Sequence, residues 1–553
     1  MRRGTATIVT ALIAVAVVVG LVVGFMMPAL VTLPTSTPTT DATTVSPSSQ
    51  PPNTTAPTTA PTGRPTSEVA LDAGRHKLIT GYDSPDRAVG PFPDVEPEGF
   101  AEAPGGGLAG YLKQKIEWES CGTTQECASI LAPLDYRHPD EQAITITLLR
   151  VKSARGGKGP LFVNPGGPGG SGREMASGFT PDTYPGYDIV GWDPRGSGTS
   201  TPIKCGSDAQ TDAFFNLDGS PDDEAEFQAI VEGSRAFASQ CRASSGRLLD
   251  HVSTIENVRD LDMIRQLMGA EKLNFLGVSY GTYVGAMYAE LFPQHTGRLV
   301  LDSAVNITEN DSVIQATGFD LSLRNYAAWA AKQGHFATTQ DGVIDKIVGF
   351  VDGLDATPLK VGDRQLTQTL AATGIAFFLY ADEEAYSTLT QALEQAMEGQ
   401  GAWLLVAADG LNSRGRDGHW DTMAFAFPAT SCIDSADKGV AEARKQWATN
   451  QKLAPIFGRW MGISVTCEVW TAAPAPQILV RGQGAAPIVV VGTTGDSATP
   501  YQQAVWMADQ LESGVLLTYE GAGHGSFRQR CVEAHLQKYF ADGTVPAKGA
   551  KCS

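Results

Sequence analysis

Histidine is scarce in this chain. There are eight in 553 residues, so any chemistry that needs an imidazole draws on a short list. A basic excess is missing too, since 60 acidic and 41 basic residues give a formal net charge of −19. Phosphate binding needs a basic face, which excludes nucleic acid as the partner. Charge is absent altogether from Gly4 to Thr40, and cysteine is absent before Cys121. No cysteine therefore lies near the apolar N-terminus to accept a lipid. None of the eight cysteines forms a C-x-x-C pair, which removes the usual zinc and thiol-redox arrangements.

What the N-terminus does have is Arg2 and Arg3, followed by an apolar stretch from Ile8 to Leu33. Secretory h-regions run to roughly 7–15 residues, and a bilayer takes about 20. Residues 1–33 therefore read as a signal-anchor or signal peptide, with the anchor favoured, the N-terminus cytoplasmic and the rest exported. The expected location is extracytoplasmic, membrane-anchored or wall-associated, with membrane contact through this segment only. Residues 34–68 form a Thr/Ser/Pro-rich linker that cannot bury enough surface to fold. The globular part starts between Val69 and Gly110. All eight cysteines lie beyond the linker and their number is even, which in an exported protein implies disulfides. Neighbour pairing is the expectation: Cys121 with Cys127, Cys205 with Cys241, Cys432 with Cys467, and Cys531 with Cys552.

The length exceeds what one compact core supports, so a large domain with an insertion, or two domains, is implied. Ala128–Tyr136 and Ala143–Lys152 read as early strands. Pro160–Asn164, Tyr187–Trp192, Lys272–Leu276, Arg298–Leu301, Pro487–Gly492 and Val515–Tyr519 are short apolar runs, as expected of strands buried on both faces. Ser253–Met268 carries apolar residues at helical spacing behind a Ser-x-x-Glu capping box. The fold class expected is α/β, with a mostly parallel, doubly wound sheet.

Strand ends carry the chemistry in such sheets. After Leu273–Leu276 comes Gly277-Val278-Ser279-Tyr280-Gly281. This strand–turn–helix context makes it a nucleophile elbow with Ser279 at its tip. The Gly-rich run Asn164–Gly172 lacks the Lys-Ser/Thr ending of a phosphate loop. It reads instead as an oxyanion loop, with the backbone N–H groups of Gly167 and Tyr280 as the donors. His524 stands in a Gly-rich loop after the last strand and is the candidate base. His76, His138, His335 and His419 read as surface or capping residues. The acid is Asp496, after Ile488–Val491, with Asp302 as its rival one strand earlier. A Ser279–His524–Asp496 triad needs no metal or organic cofactor.

The chain resembles the secreted bacterial tripeptidyl aminopeptidase branch of the α/β-hydrolases, which is related to the prolyl iminopeptidases. The matching blocks are Glu126–Ala128 with Pro133–Tyr136, Asn164–Gly172, Trp192–Ser200, Gly277–Gly281, Ser431–Cys432, Gly495–Pro500 and Gly523–Gly525. They span about Trp118 to Cys552, and Ser497-Ala498 departs from the Pro and aliphatic residue common in the family. The resemblance implies release of short peptides, usually tripeptides, from free N-termini. It implies a hydrolase core over 69–305 and 482–553 and a helical cap inserted over 306–481. Asp434 is then a candidate for the substrate's α-ammonium group, against the plainer reading of a solvated surface acid. Asp193 and Arg195 read as an ion pair bracing their loop. Two other functions stay open: a carboxylic-ester hydrolase or lipase using the same triad, and a non-catalytic surface binding module.

Overall fold

Alternation of inward side chains along each apolar run builds one central sheet with two buried faces. In the computed structural model its strands are β1 (Gln125–Pro133), β2 (Ala143–Val151), β3 (Gly159–Asn164), β4 (Tyr187–Trp192), β5 (Leu273–Val278), β6 (Thr296–Asp302), β7 (Ile488–Gly495) and β8 (Gly514–Ala522). The structure describes residues 76–79, 83–88, 90–92 and 95–553. The expected leader (1–33) and linker (34–68) lie outside the described residues. Among the described residues no helix is long and apolar enough to cross a membrane.

The strand order is β8-β7-β6-β5-β3-β4-β2-β1, with short strands Lys551–Cys552 on β8, Glu119–Ser120 on β1 and Phe100–Ala101 on β2. β3 to β8 pair in parallel, while β1–β2 and β2–β4 are antiparallel. This is the α/β-hydrolase fold, as the sequence pattern implied. Phe162, Phe275, Leu299 and Val490 face one layer of helices that includes Thr254–Leu267 and Tyr280–Leu291. Leu161, Leu276, Val300 and Val489 face the other layer, with Gly172–Ser177 and Arg530–Asp542. Between β6 and β7 the chain leaves the sheet for a set of helices, from Gln315–Gln333 to Val440–Leu453. Much of this excursion packs on an apolar cluster of its own around Phe319, Ile347, Ile375, Leu393 and Phe457.

All four neighbour disulfides are present: Cys121–Cys127, Cys205–Cys241, Cys432–Cys467 and Cys531–Cys552. Three local expectations need correction. The Ser253 hydroxyl does accept the Glu256 N–H (3.3 Å), but the Glu256 carboxylate turns to Nδ1 of His251 (3.0 Å) instead of closing the capping box. The His76 ring is buried against Glu290 (3.0 Å), not on the surface. Arg195 does not pair with Asp193.

A fully buried guanidinium needs an acceptor for every donor. Arg195 finds them in Asp260, at 2.7 Å to each oxygen, and in the carbonyls of Pro133, Leu134 and His251. Tyr136 donates its hydroxyl to the same Asp260 (2.7 Å). Asp193 instead accepts the Ser171 hydroxyl (2.5 Å) and the Thr199 N–H (2.9 Å), bracing the Gly-rich loop. Removing one partner of a buried pair strands the other's charge. Arg195→Met is therefore expected to cost about 3–5 kcal/mol in urea denaturation, with a smaller loss when Asp260→Leu accompanies it.

Candidate active site

Parallel strands bring their C-terminal ends to one edge, and the register there is close. Gly277 pairs with Asn164, Val278 with Asp302, and Asp302 with Val491. Ser279 follows β5 with φ 58° and ψ −128°, the strained turn that lifts a nucleophile off the sheet edge. Its N–H donates to the Asp302 carbonyl (3.1 Å), and its carbonyl accepts from the Thr282 N–H (2.9 Å) and hydroxyl (2.6 Å). The conformation is thus imposed from both sides. The Gly-rich loop lies directly against the elbow. A Cβ on Gly166 would stand 2.6 Å from the Val278 carbonyl oxygen and 2.8 Å from the Tyr280 nitrogen. One on Gly281 would stand 2.5 Å from the Asn164 carbonyl oxygen. Only glycine permits this approach. The Asn164 side chain accepts the Gly166 N–H (2.9 Å) and sets the loop's course. Tyr280 opens the 12-residue helix Tyr280–Leu291, so its N–H points out of a helix N-terminus.

His524 and Asp496 come from the loops after β8 and β7. Nδ1 of His524 lies 2.8 Å from Oδ1 of Asp496. Asp496 is buried and accepts the N–H groups of Ala498 (3.0 Å) and Thr499 (2.9 Å) and the Thr499 hydroxyl (3.0 Å). The departure at Ser497-Ala498 therefore leaves the acid fully held. Burial works against charge on the His524 ring, yet the Asp496 carboxylate, helped by Asp302, holds its pKa above the ordinary 6.5. The rival Asp302 is engaged elsewhere: it accepts the N–H groups of Ser526 and Phe527, both at 2.7 Å. Burial pushes its pKa up to about 6 despite those bonds, with Asp496 adding to the rise.

Ser279, Gly167, Tyr280, His524 and Asp434 all line one cavity of about 1790 Å³. Asp434 ends the helix Met423–Asp434 and is neither freely solvated nor unengaged. It accepts the Thr254 N–H (3.0 and 3.1 Å) and hydroxyl (2.5 Å), and Thr254 in turn hydrogen-bonds the Tyr280 hydroxyl. Burial, against those bonds, pushes its pKa to about 7. Five carboxylates line the cavity (Glu309, Asp311, Asp382, Glu384 and Asp434), against the cations Lys438 and Arg528. That balance favours a cationic group inside.

Sequence similarity covers most of this arrangement. The model of the TAP-like protein family matches residues 454–552. "Serine protease Hip1" of Mycobacterium tuberculosis is 33% identical over 482 residues, 80% of this chain and 91% of that protein. The chain belongs to the tripeptidyl-aminopeptidase-like α/β-hydrolases. The same family includes "Carboxylesterase B" of M. tuberculosis, 33% identical over 82% of this chain and 94% of its own. It also includes "Tripeptidyl aminopeptidase" of Streptomyces lividans, 30% identical over 79% and 86%. This tripeptidyl-aminopeptidase-like protein is a serine hydrolase.

Some parts of the site carry no motif. Tyr380, just past the helix Gln368–Leu379, accepts the His524 N–H on its carbonyl (2.9 Å) and stands edge-on to the imidazole at 5.4 Å. Phe214 and Phe215, from a second excursion after β4, line the cavity, as does Ile79 near the N-terminus. Thr499, three residues after the acid, lies within a matching block and lines the same cavity.

The raised Asp434 carboxyl has a testable thermodynamic sign. A carboxyl whose folded pKa exceeds its unfolded value favours folding when protonated, and that contribution is lost as pH rises through the folded pKa. Asp434→Asn, neutral throughout, is expected to raise the melting temperature relative to wild type above pH 7. The difference shrinks as pH falls toward 4, which differential scanning calorimetry across that range checks.

Proposed function

We propose that this serine hydrolase is an exported peptidase that releases short peptides from free N-termini. The observation that carries the reading is one cavity lined by Ser279, by His524 with Asp496 behind its ring, and by an excess of carboxylates. Ser279 is the nucleophile, His524 its base and Asp496 the group that fixes the imidazole tautomer. As Ser279 Oγ bonds to the scissile carbonyl carbon, His524 takes its proton and Asp496 stabilises the imidazolium. The N–H groups of Gly167 and Tyr280 receive the oxyanion, each donor contributing roughly 3 kcal/mol to the transition state. The C–N bond then breaks, His524 gives its proton to the departing amine, and water repeats the cycle on the acyl-enzyme.

Asp434 is proposed to hold the substrate's α-ammonium group, with the acidic lining drawing it in. The helices between β6 and β7 act as a cap that closes the cavity over the peptide. Release of tripeptides in particular rests on the S. lividans relative's name. The second reading, an ester hydrolase, is favoured by the 33% identity to "Carboxylesterase B".

Three substrates separate the readings: a tripeptide amide with a free N-terminus, its N-acetylated form, and a short-chain p-nitrophenyl ester. The expected result is Ser279-dependent cleavage of the free peptide, with the acetylated form at least about tenfold slower, as loss of a buried ion pair demands. Hydrolysis of the ester alone would assign the protein to the esterases. No cleavage at all, and no fluorophosphonate labelling of Ser279, would leave a binding module.

A further prediction concerns pH. On the neutral ester, kcat/KM is expected to fall on the acid side with an apparent pKa above the ordinary histidine value of about 6.5. Asp496→Asn is expected to lower that pKa and to cut kcat by about 10²–10⁴-fold. Steady-state profiles from pH 5 to 9 check both.

A further inference from the structure

Asp302 is completely buried at the end of β6, and the triad geometry leaves it without an assigned task. Its hydrogen bonds suggest one. Oδ2 accepts the N–H groups of Ser526 and Phe527, and Oδ1 accepts the Ser526 hydroxyl (2.8 Å). Its main-chain carbonyl accepts the N–H of Ser279 (3.1 Å). Next along the chain, Ser303 receives the Gly525 N–H on its hydroxyl (2.8 Å) and donates its own N–H to the Val491 carbonyl (3.0 Å). Ser303 adopts φ 53°, a left-handed conformation that serine rarely takes, as the β6 backbone turns beneath the Gly525 loop. Two consecutive residues thus grip the nucleophile on one side and the three residues after His524 on the other.

Scaffolding alone does not require the charge. An asparagine at 302 could accept both N–H groups on its oxygen and donate its amide to the Ser526 hydroxyl, without the cost of burying an ion. The titratable groups within electrostatic range of the carboxylate are Asp496, His524 and Tyr184. Of these, the imidazole is the one whose charge changes during the proposed cycle. We propose that Asp302 is a positioning residue for the hydrolytic reaction: it locks the histidine loop to the nucleophile elbow and places a second negative charge behind the imidazolium. This rests on His524 being the base for Ser279.

Asp302→Asn in the full chain, assayed on the short-chain ester from pH 5 to 9, tests the charge. The expected result is a fall in kcat of about tenfold or more, KM within about twofold, an acid limb moved to lower pH, and a melting temperature unchanged or raised. Ser526→Ala, which keeps the charge and removes one tether, tests the lock. A few-fold loss of kcat with an unmoved acid limb is expected. Wild-type kcat and acid limb in Asp302→Asn would overturn the electrostatic role, and wild-type kcat in Ser526→Ala would overturn the tether. Should Asp302→Asn fail to fold, Asp302→Ser takes its place as the charge test with the same two outcomes, and Ser526→Ala still decides the tether. Ser279→Ala and His524→Ala serve as a separate check. Activity surviving in them would sink the underlying triad reading, an outcome distinct from any result at Asp302.

Discussion

Val278, Asp302 and Val491 stand side by side on three neighbouring strands, and the geometry of the site follows from that alignment. Hydrogen-bond register in a parallel sheet is set over its whole length, since a slip of one residue would turn every side chain to the opposite face. The apolar alternation of β5, β6 and β7 against two helical layers therefore fixes where each strand ends. The reactive groups sit within a few residues of those ends, so their mutual placement is inherited from the core. Side-chain hydrogen bonds then refine it. A strained Ser279 persists because Asp302 and Thr282 over-determine its backbone.

Much of this was legible in the residues. The apolar runs announced the strands, and Gly277–Gly281 and Asn164–Gly172 announced the elbow and the loop, because tight backbone approach leaves few alternatives to glycine. The choice of Asp496 over Asp302 rests on strand order alone, since the strand before Asp496 immediately precedes that of His524. Both follow apolar strands on the correct side of the sheet. What separates them is that the backbone of Ser526 and Phe527 occupies one carboxylate while the imidazole occupies the other. Arg195 failed for a related reason. Its nearest acid in sequence is Asp193, but a buried guanidinium is satisfied in three dimensions, and Asp260 lies on a helix from another segment. Tyr380, Phe214 and Phe215 reach the cavity from excursions whose packing no local pattern specifies.

Burial shapes the electrostatics as much as charge count does. The chain is acidic overall, yet the carboxyls at the site behave individually. Asp496 is met by three donors and a histidine, Asp302 is clasped by a loop, and Asp434 is half-shielded in the cavity wall with Thr254 as its partner. A single fold thus surrounds three carboxyls with three different sets of partners, and burial raises the pKa of Asp302 and of Asp434.

The first described residues have a direct hold on the cavity. Leu78–Ile79 pairs with Gln477–Ile478, and Ile79 reaches the cavity lining. Farther along, Arg87 is buried and donates to the carbonyls of Cys432 and Ala472 and to Asp437, directly behind the segment that carries Asp434. This N-terminal strip is therefore also masonry of the cavity's inner wall. A deletion reaching past His76 would therefore remove part of the chamber's own wall and change its shape.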